Sequence, residues 1–530
     1  MRIALLDRLG FGWQLLDALA AVESASAMTS RIAAGVRARE ESFLTAVDEI
    51  WQGRRPPYRA LLEIAGWDPP RVRGALGEHG LEATLERMAR DGVMLDSDEV
   101  KGRKRVVRRG RTVEFRDADL ASLQGPSVPL VTSGTSGARV IYPIDLAGFR
   151  LQASYLPVML GALAADGQPV VLYYPAASTA GNAHLISFAL AGRPPAAWFC
   201  HLQQSSSALS QWRLWFRGLV ASARLRGVVL PKPQVADVES PRTLVDWLRH
   251  RAPGGAVVAT FPGSALRVQR WARSVGASLP RVTWILGGEP VSAAKRQRLE
   301  EDGHRVYPWY GAVDTGRIAI GCLQPASADD MHLLTDRYAA IMPPQPPPPA
   351  PAPADSEGDP AGSTRRLLLT SLIPEVHRRM LNTDIGDLAA PLDRRCGCPF
   401  ERLGLVRHLH AVHSKQKLTV EGATISADTV QSLASDLLPA ACGGSPTDYQ
   451  ILEEEDGDGV TRLVVLVHPA LAADEGAVLH TVDRVLAVAG GGGTAERLRR
   501  SGVVTVRREK PRMSAAGKSQ SVARAGRAPG

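Results

Sequence analysis

Two short stretches, whose Gly-Gly-Glu and Tyr-Gly motifs lie about twenty residues apart, decide the fold of this chain. They read Trp284-Ile285-Leu286-Gly287-Gly288-Glu289-Pro290 and Tyr307-Pro308-Trp309-Tyr310-Gly311-Ala312-Val313-Asp314-Thr315. The first predicts a strand that ends where missing side chains let a flat ring lie against the backbone, and Tyr310 can stack on such a ring. Asp314 is suited to binding Mg2+ together with phosphate oxygens. A strand end followed by a turn is the simpler interpretation of each stretch.

The surrounding region alternates between predicted strands and helices. From about residue 128 to 335, short apolar runs such as VPLVTS, PVVLYY, AVVATF and RVTWILGG lead into turns, and helix-like segments follow them. Such runs are typical of strands inside a largely buried sheet. Ligands of these sheets bind at the carboxyl ends of the strands, which is where the turns fall. The fold class predicted here is therefore α/β.

A hydroxyl-rich loop follows the predicted strand Pro129-Leu130-Val131. The loop consists of Thr132, Ser133, Gly134, Thr135, Ser136 and Gly137. Its two glycines let the backbone approach an anion closely, and its four hydroxyl groups are donors for phosphate oxygens. The loop lacks the Lys-Ser/Thr pair of the common nucleotide-binding loop. Taken alone, it is more typical of an ordinary turn.

Three further polar segments lie toward the C-terminus. They are Asp384-Ile385-Gly386-Asp387-Leu388, residues 413–422, and Arg512-Met513-Ser514-Ala515-Ala516-Gly517-Lys518. A lysine on a glycine-containing loop can act as a mobile cation for a developing phosphoryl charge. A solvated tail lysine is the competing interpretation of Lys518.

The order of these motifs resembles that of the adenylate-forming superfamily of acyl-CoA synthetases and adenylation domains. Within it the chain most resembles the phenylacetate-CoA ligase-like branch, over residues of about 128 to 520. The resemblance implies that a carboxylate attacks the α-phosphate of ATP to give an acyl adenylate and pyrophosphate. A thiol then displaces AMP, and the small C-terminal domain rotates between the two steps.

The resemblance also implies roles for individual residues. Phosphate binding falls to the loop Thr132–Gly137, Mg2+ binding to Asp314, and promotion of adenylation to Lys518. The remaining nucleotide-binding positions are Gly288, Glu289, Tyr310, Gly311, Asp387 and His413, with the adenine framed by Gly288, Glu289 and Tyr310 and the ribose hydroxyls bound by Asp387.

Three positions depart from the family pattern. Arg139-Val140 stands where the loop usually continues to Lys or Thr, and Asp314 replaces a longer Glu. The hinge motif has His413 in place of Arg, which puts the hinge near Lys415. These departures affect the expected rate, the metal geometry and the second half-reaction more than nucleotide binding.

A cysteine and histidine pattern points to a structural metal. Cys396 and Cys398 form a C-x-C pair, while Cys322 and His332 lie on the other side of a proline-rich segment. Three thiolates and one imidazole make a closed tetrahedral set for Zn2+. Spacing alone leaves buried thiols equally open; the resemblance to the phenylacetate-CoA ligase-like branch, which often has such a site, favours zinc. The predicted role is to clamp the base of the hairpin that carries residues 343–353.

The predicted division places an N-terminal core at 1–412 and a small, mobile α/β domain at 413–530. Within the core, residues 1 to about 115 are expected to be mostly helical. Residues 343–353 (PPQPPPPAPAP) are expected to form an exposed loop, since eight prolines in eleven positions cannot pack a core. The C-terminus is expected to end in a flexible basic tail.

Composition limits the classes of partner. The 530 residues include 63 Lys and Arg against 54 Asp and Glu, and the net charge of +9 is mild for this length, so we expect no nucleic-acid partner. Five cysteines do not make a disulfide framework, and no apolar run approaches the ~18 residues that span a bilayer. We expect a cytoplasmic protein without a membrane partner. The oligomeric state stays open, with a homodimer among the alternatives.

The leading functional hypothesis is an ATP-dependent carboxylate-activating ligase that uses Mg2+ and makes a thioester with CoA. The alternatives are an adenylating enzyme that loads a carrier-protein thiol or another nucleophile, and a degenerate nucleotide-binding scaffold. The expected substrate is a small carboxylic acid, aromatic acids included, because candidate wall residues are rings and small side chains. The resemblance places them in Tyr173-Tyr174-Pro175, Asn182-Ala183-His184 and Phe261-Pro262-Gly263-Ser264. Packing of a buried core explains the same residues equally well.

Overall fold

The computed structural model describes residues 5–131, 141–175, 179–200, 207–343, 364–414, 417–490, 492–511 and 522–524. Seven helices precede the first described strand: α1 (Leu5–Ala20), α2 (Ala25–Arg37), α3 (Arg39–Gln52), α4 (Tyr58–Ala65), α5 (Pro69–His79), α6 (Leu81–Arg90) and α7 (Ser97–Val100). Local sequence sets their ends. Pro56 and Pro57 separate α3 from α4, and the Asp68 side chain accepts a hydrogen bond from the Arg71 amide to cap α5.

Two small antiparallel ribbons come next: β1 (Val106–Arg108) with β2 (Arg111–Val113), and β3 (Ser127–Val131) with β4 (Ile141–Asp145). The expectation that the VPLVTS run belongs to the large sheet is therefore wrong. Pro129 faces Pro143 across the second ribbon. Proline has no amide hydrogen to donate to a further strand, so this pair suits a ribbon better than the interior of a wide sheet.

The main sheet has twelve strands, with helices between many of them. In chain order the elements are β5 (Val170–Tyr173), β6 (Ala197–Cys200), β7 (Pro233–Val235), β8 (Ala256–Thr260), β9 (Val282–Leu286), β10 (Arg305–Ala312), β11 (Gly316–Gly321), β12 (Met331–Leu333), β13 (Tyr338–Ile341), β14 (Arg365–Ser371), β15 (Thr383–Asp393) and β16 (Arg407–Ser414). The accompanying helices are α8 (Leu146–Ala153), α9 (Leu156–Ala162), α10 (Thr179–Leu190), α11 (Ser207–Leu225), α12 (Arg242–Arg251), α13 (Pro262–Ser274), α14 (Ala293–Glu300) and α15 (Pro399–Arg402).

The strand order is β13-β14-β15-β16-β12-β11-β10-β9-β8-β5-β6-β7. The half from β10 to β7 is parallel, and the half from β10 to β13 is antiparallel. Strands β5, β8 and β9 are buried along their whole length, as continuous apolar runs inside a covered parallel sheet should be. The predicted α/β fold class is confirmed.

Strands β13 and β14 pair as an antiparallel hairpin, with Ile341 opposite Leu368. This pairing places the proline-rich segment on the connection between two adjacent strands. Residues 344–363, which contain nearly all of that segment, lie outside the described residues. The expected exposed loop there stays a prediction.

The C-terminal region has a four-stranded sheet, a hairpin and helices of its own. Its elements are β17 (Lys417–Val420), β18 (Ala423–Ser426), α16 (Ala427–Ser432), a π-helical turn (Leu433–Leu437), α17 (Leu438–Cys442), β19 (Tyr449–Glu455), β20 (Thr461–Val467), α18 (Glu475–Gly490), α19 (Gly492–Arg500), β21 (Val504–Arg508) and β22 (Val522–Arg524). The sheet order is β21-β20-β19-β22. Leu418, Ile451 and Val465 belong to a separate buried apolar cluster.

Strand β16 continues the main sheet through Ser414, which pairs with Asp387. The predicted boundary after residue 412 therefore falls inside a strand, two residues before its end. The division into an N-terminal core and a mobile C-terminal domain stays a prediction. None of the described helices combines the length and the apolar character that crossing a bilayer requires.

Candidate active site

The Gly-Gly-Glu motif lies at the carboxyl end of β9, in the middle of the main sheet. A side chain at Gly287 would meet the Trp309 ring, because a Cβ built there would lie 2.2 Å from its nearest atom. Gly288 has a φ of +82°, which L side chains rarely adopt. Both glycines are therefore required by the backbone path and the neighbouring ring.

The Glu289 side chain is buried and accepts two backbone hydrogen bonds. One comes from the amide of Gly263, at 3.2 Å, at the start of α13. The other comes from the amide of Gly422, in the turn between β17 and β18. Glu289 thus joins the main sheet to the C-terminal region.

A second carboxylate, Glu421, lies beside Glu289. Glu421 is ion-paired with Arg267 and accepts a 3.3 Å hydrogen bond from the Ser264 hydroxyl. Burial first, and then the charge of Glu421, raise the pKa of Glu289 to about 7. Nearby Lys295 and the two backbone donors offset part of that rise. At neutral pH a large fraction of Glu289 therefore carries a proton.

Tyr310 and Asp387, predicted from separate motifs, lie in direct contact. The Tyr310 hydroxyl donates a 2.7 Å hydrogen bond to Oδ2 of Asp387. Burial, reinforced by the negative charge of Asp387, raises the pKa of Tyr310 well above its usual value. The phenol therefore stays protonated and orients the carboxylate that the resemblance assigns to ribose binding.

Asp314 lies in the turn that joins β10 to β11. Its carboxylate is 4.0 Å from Nη1 of the buried Arg378, whose Nη2 is 2.8 Å from Asp117. A single carboxylate, with the rest of the coordination sphere left to water and phosphate oxygens, fits the way Mg2+ is usually held in nucleotide sites. The positive charge of Arg378 beside it is a feature that the sequence did not indicate.

Two other predicted positions, Gly311 and His413, lie in this region on the paired strands of the main sheet. Gly311 faces the neighbouring strand so closely that an added Cβ would lie 2.1 Å from the Gly316 carbonyl oxygen. His413, on β16, pairs with Leu388, next to Asp387, and its Nδ1 lies 2.8 Å from the Ala411 carbonyl oxygen. The loop Thr132–Gly137, the hinge position Lys415 and Lys518 lie outside the described residues.

An aromatic cluster lies beside the Gly-Gly-Glu motif. His184 stacks on Tyr174 with ring centroids 5.1 Å apart and packs against the edge of Trp309 at 5.4 Å, while Phe261 packs against Tyr174 at 4.9 Å. Burial, helped by the charge of Arg317, lowers the pKa of His184 to about 3, so this ring is neutral. Three of the predicted wall residues therefore do come together.

Tyr173, another predicted wall residue, belongs to a different apolar cluster from Tyr174, together with Phe199 and Trp284. Tyr173 is the last residue of β5 and Tyr174 follows it. Because their side chains pack in different clusters, they do not share one wall. Trp309 and Arg317 complete the cluster around Tyr174. Their place on β10 and β11, beside the Tyr-Gly motif, was the signal that could have indicated them.

Cys322, His332, Cys396 and Cys398 come together in one buried group, with all four ligand atoms within 4.8 Å of one another. Nε2 of His332 lies 3.1 Å from the Cys398 sulfur, and the other ring nitrogen of His332 is 2.7 Å from the Leu405 carbonyl oxygen. A backbone acceptor on the second nitrogen fixes the tautomer that presents Nε2 to a metal. The donor set fits Zn2+.

The expected position of this cluster relative to the proline-rich hairpin is wrong. Cys322 follows β11, His332 lies on β12, and the other two cysteines lie between β15 and β16. In the sheet, β15 and β16 separate β12 from the β13–β14 hairpin. The cluster therefore links the β11–β12 connection to the β15–β16 connection, because strands distant in the chain are neighbours in the sheet.

Besides the Gly422–Glu289 hydrogen bond, two further contacts join the C-terminal region to the rest of the chain. The Lys295 ammonium, on α14, donates a 2.7 Å hydrogen bond to the Thr461 hydroxyl and lies 3.4 Å from Glu455. Arg500 forms an ion pair with Asp237, at 2.7 Å. With the Gly422–Glu289 hydrogen bond, these contacts join the C-terminal region to the part of the chain that forms the main sheet.

Comparison with known proteins found similarity in structure alone. No family model and no curated protein matches the sequence. The structure of 2-hydroxyisobutyryl-CoA ligase in complex with 2-HIB-AMP and CoA, in the thioesterification state, aligns with a TM-score of 0.54 and 17% identity, over 92% of this chain and 89% of that one. Apo MatB from Rhodopseudomonas palustris aligns with a TM-score of 0.31 and 15% identity, over 77% and 68%. The first alignment shows a shared fold.

Proposed function

We propose that this chain, whose fold is that of the AMP-forming acyl-CoA ligases of the adenylate-forming superfamily, activates a carboxylic acid with ATP. The observation that carries the proposal is the Tyr310–Asp387 hydrogen bond, because it unites two motifs 77 residues apart at the edge where β9 ends in Gly-Gly-Glu. Sheets of this type bind ligands at that edge. Asp314, in the following turn, supplies a carboxylate on the same side of the motif.

In the proposed reaction an oxygen of the substrate carboxylate attacks the α-phosphorus of ATP. A P–O bond forms, the bond to the β-phosphate oxygen breaks, and pyrophosphate leaves with that electron pair. Asp387, oriented by Tyr310, binds the ribose hydroxyls, and Gly288 leaves room for the adenine ring against the backbone. Mg2+, when bound at Asp314, offsets the charge of the phosphates. Thr132–Gly137 and Lys518 are proposed to contact the same phosphates.

The acceptor in the second half-reaction is proposed to be the thiol of CoA. The thiol attacks the acyl carbon and AMP leaves, so the products are a thioester and AMP. The 2-hydroxyisobutyryl-CoA ligase structure that shares this fold contains CoA. A carrier-protein thiol remains the second candidate, and assay of acyl-CoA against acylated carrier protein in a reconstituted reaction separates the two.

The acyl group is proposed to lie against Tyr174, His184 and Trp309. Their rings form a buried wall next to Gly287, and the neutral His184 adds no charge to it. A small acid with a flat or compact body, an aromatic acid included, fits such a wall. We further propose that Zn2+ is held by the cysteine and histidine cluster in a structural role, and that the protein works in the cytoplasm.

Hydroxamate trapping tests the proposed activity without assuming the acceptor. Hydroxylamine intercepts an acyl adenylate, so ATP-dependent hydroxamate should appear with at least one member of a broad panel of carboxylic acids. ATP binding with pyrophosphate release at background across the whole panel would instead establish the scaffold alternative. Omitting the acid is the matched control.

A further inference from the structure

Arg317, at the start of β11, is a buried cation next to the proposed acyl wall. Its side chain is only 5% exposed, and its guanidinium carbon lies 5.5 Å from the centre of the Trp309 ring. Nη1 donates a 3.3 Å hydrogen bond to the Gln152 carbonyl oxygen. Nε is buried and has no hydrogen-bond partner among the described residues. The guanidinium therefore has unused donor capacity.

The other buried arginines of the described chain each face an acid. Arg337 is ion-paired with Asp336 at 3.0 Å, and Arg378 with Asp117 at 2.8 Å. Arg497 interacts with the charges of two glutamates, Glu421 and Glu289. Within the same described residues, no acid lies within ion-pair distance of Arg317.

No acidic group among the described residues compensates the charge of Arg317. Burial lowers its pKa to about 10, and the groups that interact with it most strongly are Tyr307, Arg337 and Tyr174. None of these is anionic at neutral pH, and Arg337 is itself a cation. His184 is neutral for the reason given above. An arginine keeps its proton even so, and burying such a charge without an acidic partner destabilises the folded state.

The position of this charge connects it with substrate binding. Arg317 follows Asp314 by three residues and pairs in register with Gly311 of β10. Trp309 lies next to both Arg317 and Gly287, and Tyr174 interacts with the charges of both Arg317 and Glu289. Among charged groups, Arg317 has the strongest electrostatic effect on both Tyr174 and His184, the rings of the proposed acyl wall.

We propose that Arg317 binds a second carboxylate on the acyl substrate, so that the acids this protein activates are small dicarboxylic acids. One carboxylate is activated at the α-phosphate, while the other forms a charge-assisted contact with the guanidinium, whose planar fork matches a carboxylate. The inference rests on the proposed function, since it names the substrate class of that site. It also gives the buried charge a partner when substrate is present.

The test compares chain-matched acids on three forms of the full-length protein. Succinate, glutarate and phthalate are assayed for ATP-dependent pyrophosphate release beside butyrate, valerate and benzoate. The wild type should favour the dicarboxylates. In Arg317→Met the ratio of kcat/KM for dicarboxylates to that for monocarboxylates should fall at least 100-fold, while Arg317→Lys, which keeps the charge, should retain an intermediate ratio. An unchanged ratio, or equal loss on every acid, would overturn the proposal.

Thermal melting supplies a readout that does not depend on turnover. Ligand-free Arg317→Met should melt no lower than wild type, because an unpaired buried charge is replaced by an apolar side chain of similar size. Arg337→Met, which removes the ion-pair partner of Asp336, is the matched control and should melt lower. Succinate should raise the melting temperature of wild type but not of Arg317→Met.

Together, the pyrophosphate-release assay and the melting temperatures distinguish failure of this inference from failure of the proposed activity. A melting temperature well below wild type in ligand-free Arg317→Met would make Arg317 structural and overturn the inference. If no acid supports pyrophosphate release but succinate still stabilises the wild type through Arg317, the proposed activity fails while the dicarboxylate site stands. If monocarboxylates are activated as well as dicarboxylates by the wild type, the activity stands and the inference about substrate class fails.

Discussion

At the residue scale, Asp314 combines a predicted role with an unpredicted neighbour. Replacing it by Asn keeps the volume but removes the charge that offsets Mg2+, so the rate of pyrophosphate release should fall at least tenfold, about 1.4 kcal/mol in barrier. Part of the loss should return at high Mg2+. Asp117→Asn is the control, because it removes the other acid that faces Arg378 and leaves Asp314 in place. Unchanged kinetics in Asp314→Asn would reduce Asp314 to a turn residue.

Glu289 should make stability depend on pH. Its pKa is raised in the folded state, to about 7, so its contribution is full below the unfolded value near 4.5 and is lost as pH rises through 7. Glu289→Gln cannot ionise and should escape this loss. The free energy of unfolding of Glu289→Gln minus that of wild type should therefore increase from pH 5 to pH 8. The expected increase is at least about 1.4 kcal/mol, the equivalent of one pKa unit.

Urea denaturation at the two pH values measures that difference. Neighbouring groups that titrate or carry charge near Glu289 are Glu421, Lys295, Arg267 and Arg497. They are the same in both proteins, so the comparison reports the titration of Glu289 together with its electrostatic interaction with Glu421. A difference that does not change with pH would mean that Glu289 is ionised throughout this range.

At the element scale, the cysteine and histidine cluster should hold the β11–β12 connection to the β15–β16 connection. Purified protein is expected to contain about one equivalent of Zn2+ per chain, since thiolate sites bind the ion tightly. Changing both Cys396 and Cys398 to Ser should release the metal and lower the melting temperature more than it lowers the activity of the folded fraction. Cys442→Ser, outside the cluster, is the control. Elemental analysis that finds no zinc in carefully purified wild type would contradict the zinc prediction.

Sequence patterns predicted the buried strands well, because β5, β8 and β9 are continuous apolar runs that only a covered parallel sheet accommodates. The place of β3 was not predictable from the same pattern, since an apolar run does not show which strand it pairs with. The predicted position of the metal cluster was wrong for the same reason. His332 and Cys398 are far apart in the chain, and only the order of β12, β15 and β16 brings them together.

The sequence motifs predicted individual residues of the candidate site but not the contacts between them. Tyr310 and Asp387 were identified separately, and their hydrogen bond became visible only in the structure. Arg378 has no sequence signature, and the position of Arg317 beside the Tyr-Gly motif shows neither its burial nor that no acid of the described residues faces it. The superfamily resemblance is confirmed as a fold, while the phenylacetate-CoA ligase-like branch stays a prediction.

At the scale of the whole molecule, the C-terminal region is predicted to act differently in the two proposed half-reactions. Lys518 is predicted to stabilise the charge that develops as pyrophosphate leaves. Lys518→Ala should therefore slow acid-dependent pyrophosphate release by about 10²-fold or more, roughly 2.7 kcal/mol. Given synthetic acyl adenylate and a thiol, the same variant should form product at nearly the wild-type rate.

Lys510→Ala, an exposed lysine eight residues earlier, is the matched control and should affect neither step. Equal loss of both half-reactions in Lys518→Ala would point to a damaged C-terminal region. Full adenylation by that variant would remove Lys518 from the active site.

Tracing 18O from the carboxylic acid into the products tests the central claim most directly. If the carboxylate attacks the α-phosphorus and a thiol then displaces AMP, one oxygen of an 18O-labelled carboxylate must finish in the phosphate of AMP. Mass spectrometry of AMP from a complete reaction with the preferred acid should show one 18O atom per AMP formed. Acid-dependent turnover that leaves AMP unlabelled, or that yields ADP with 18O in inorganic phosphate, would contradict the proposed reaction.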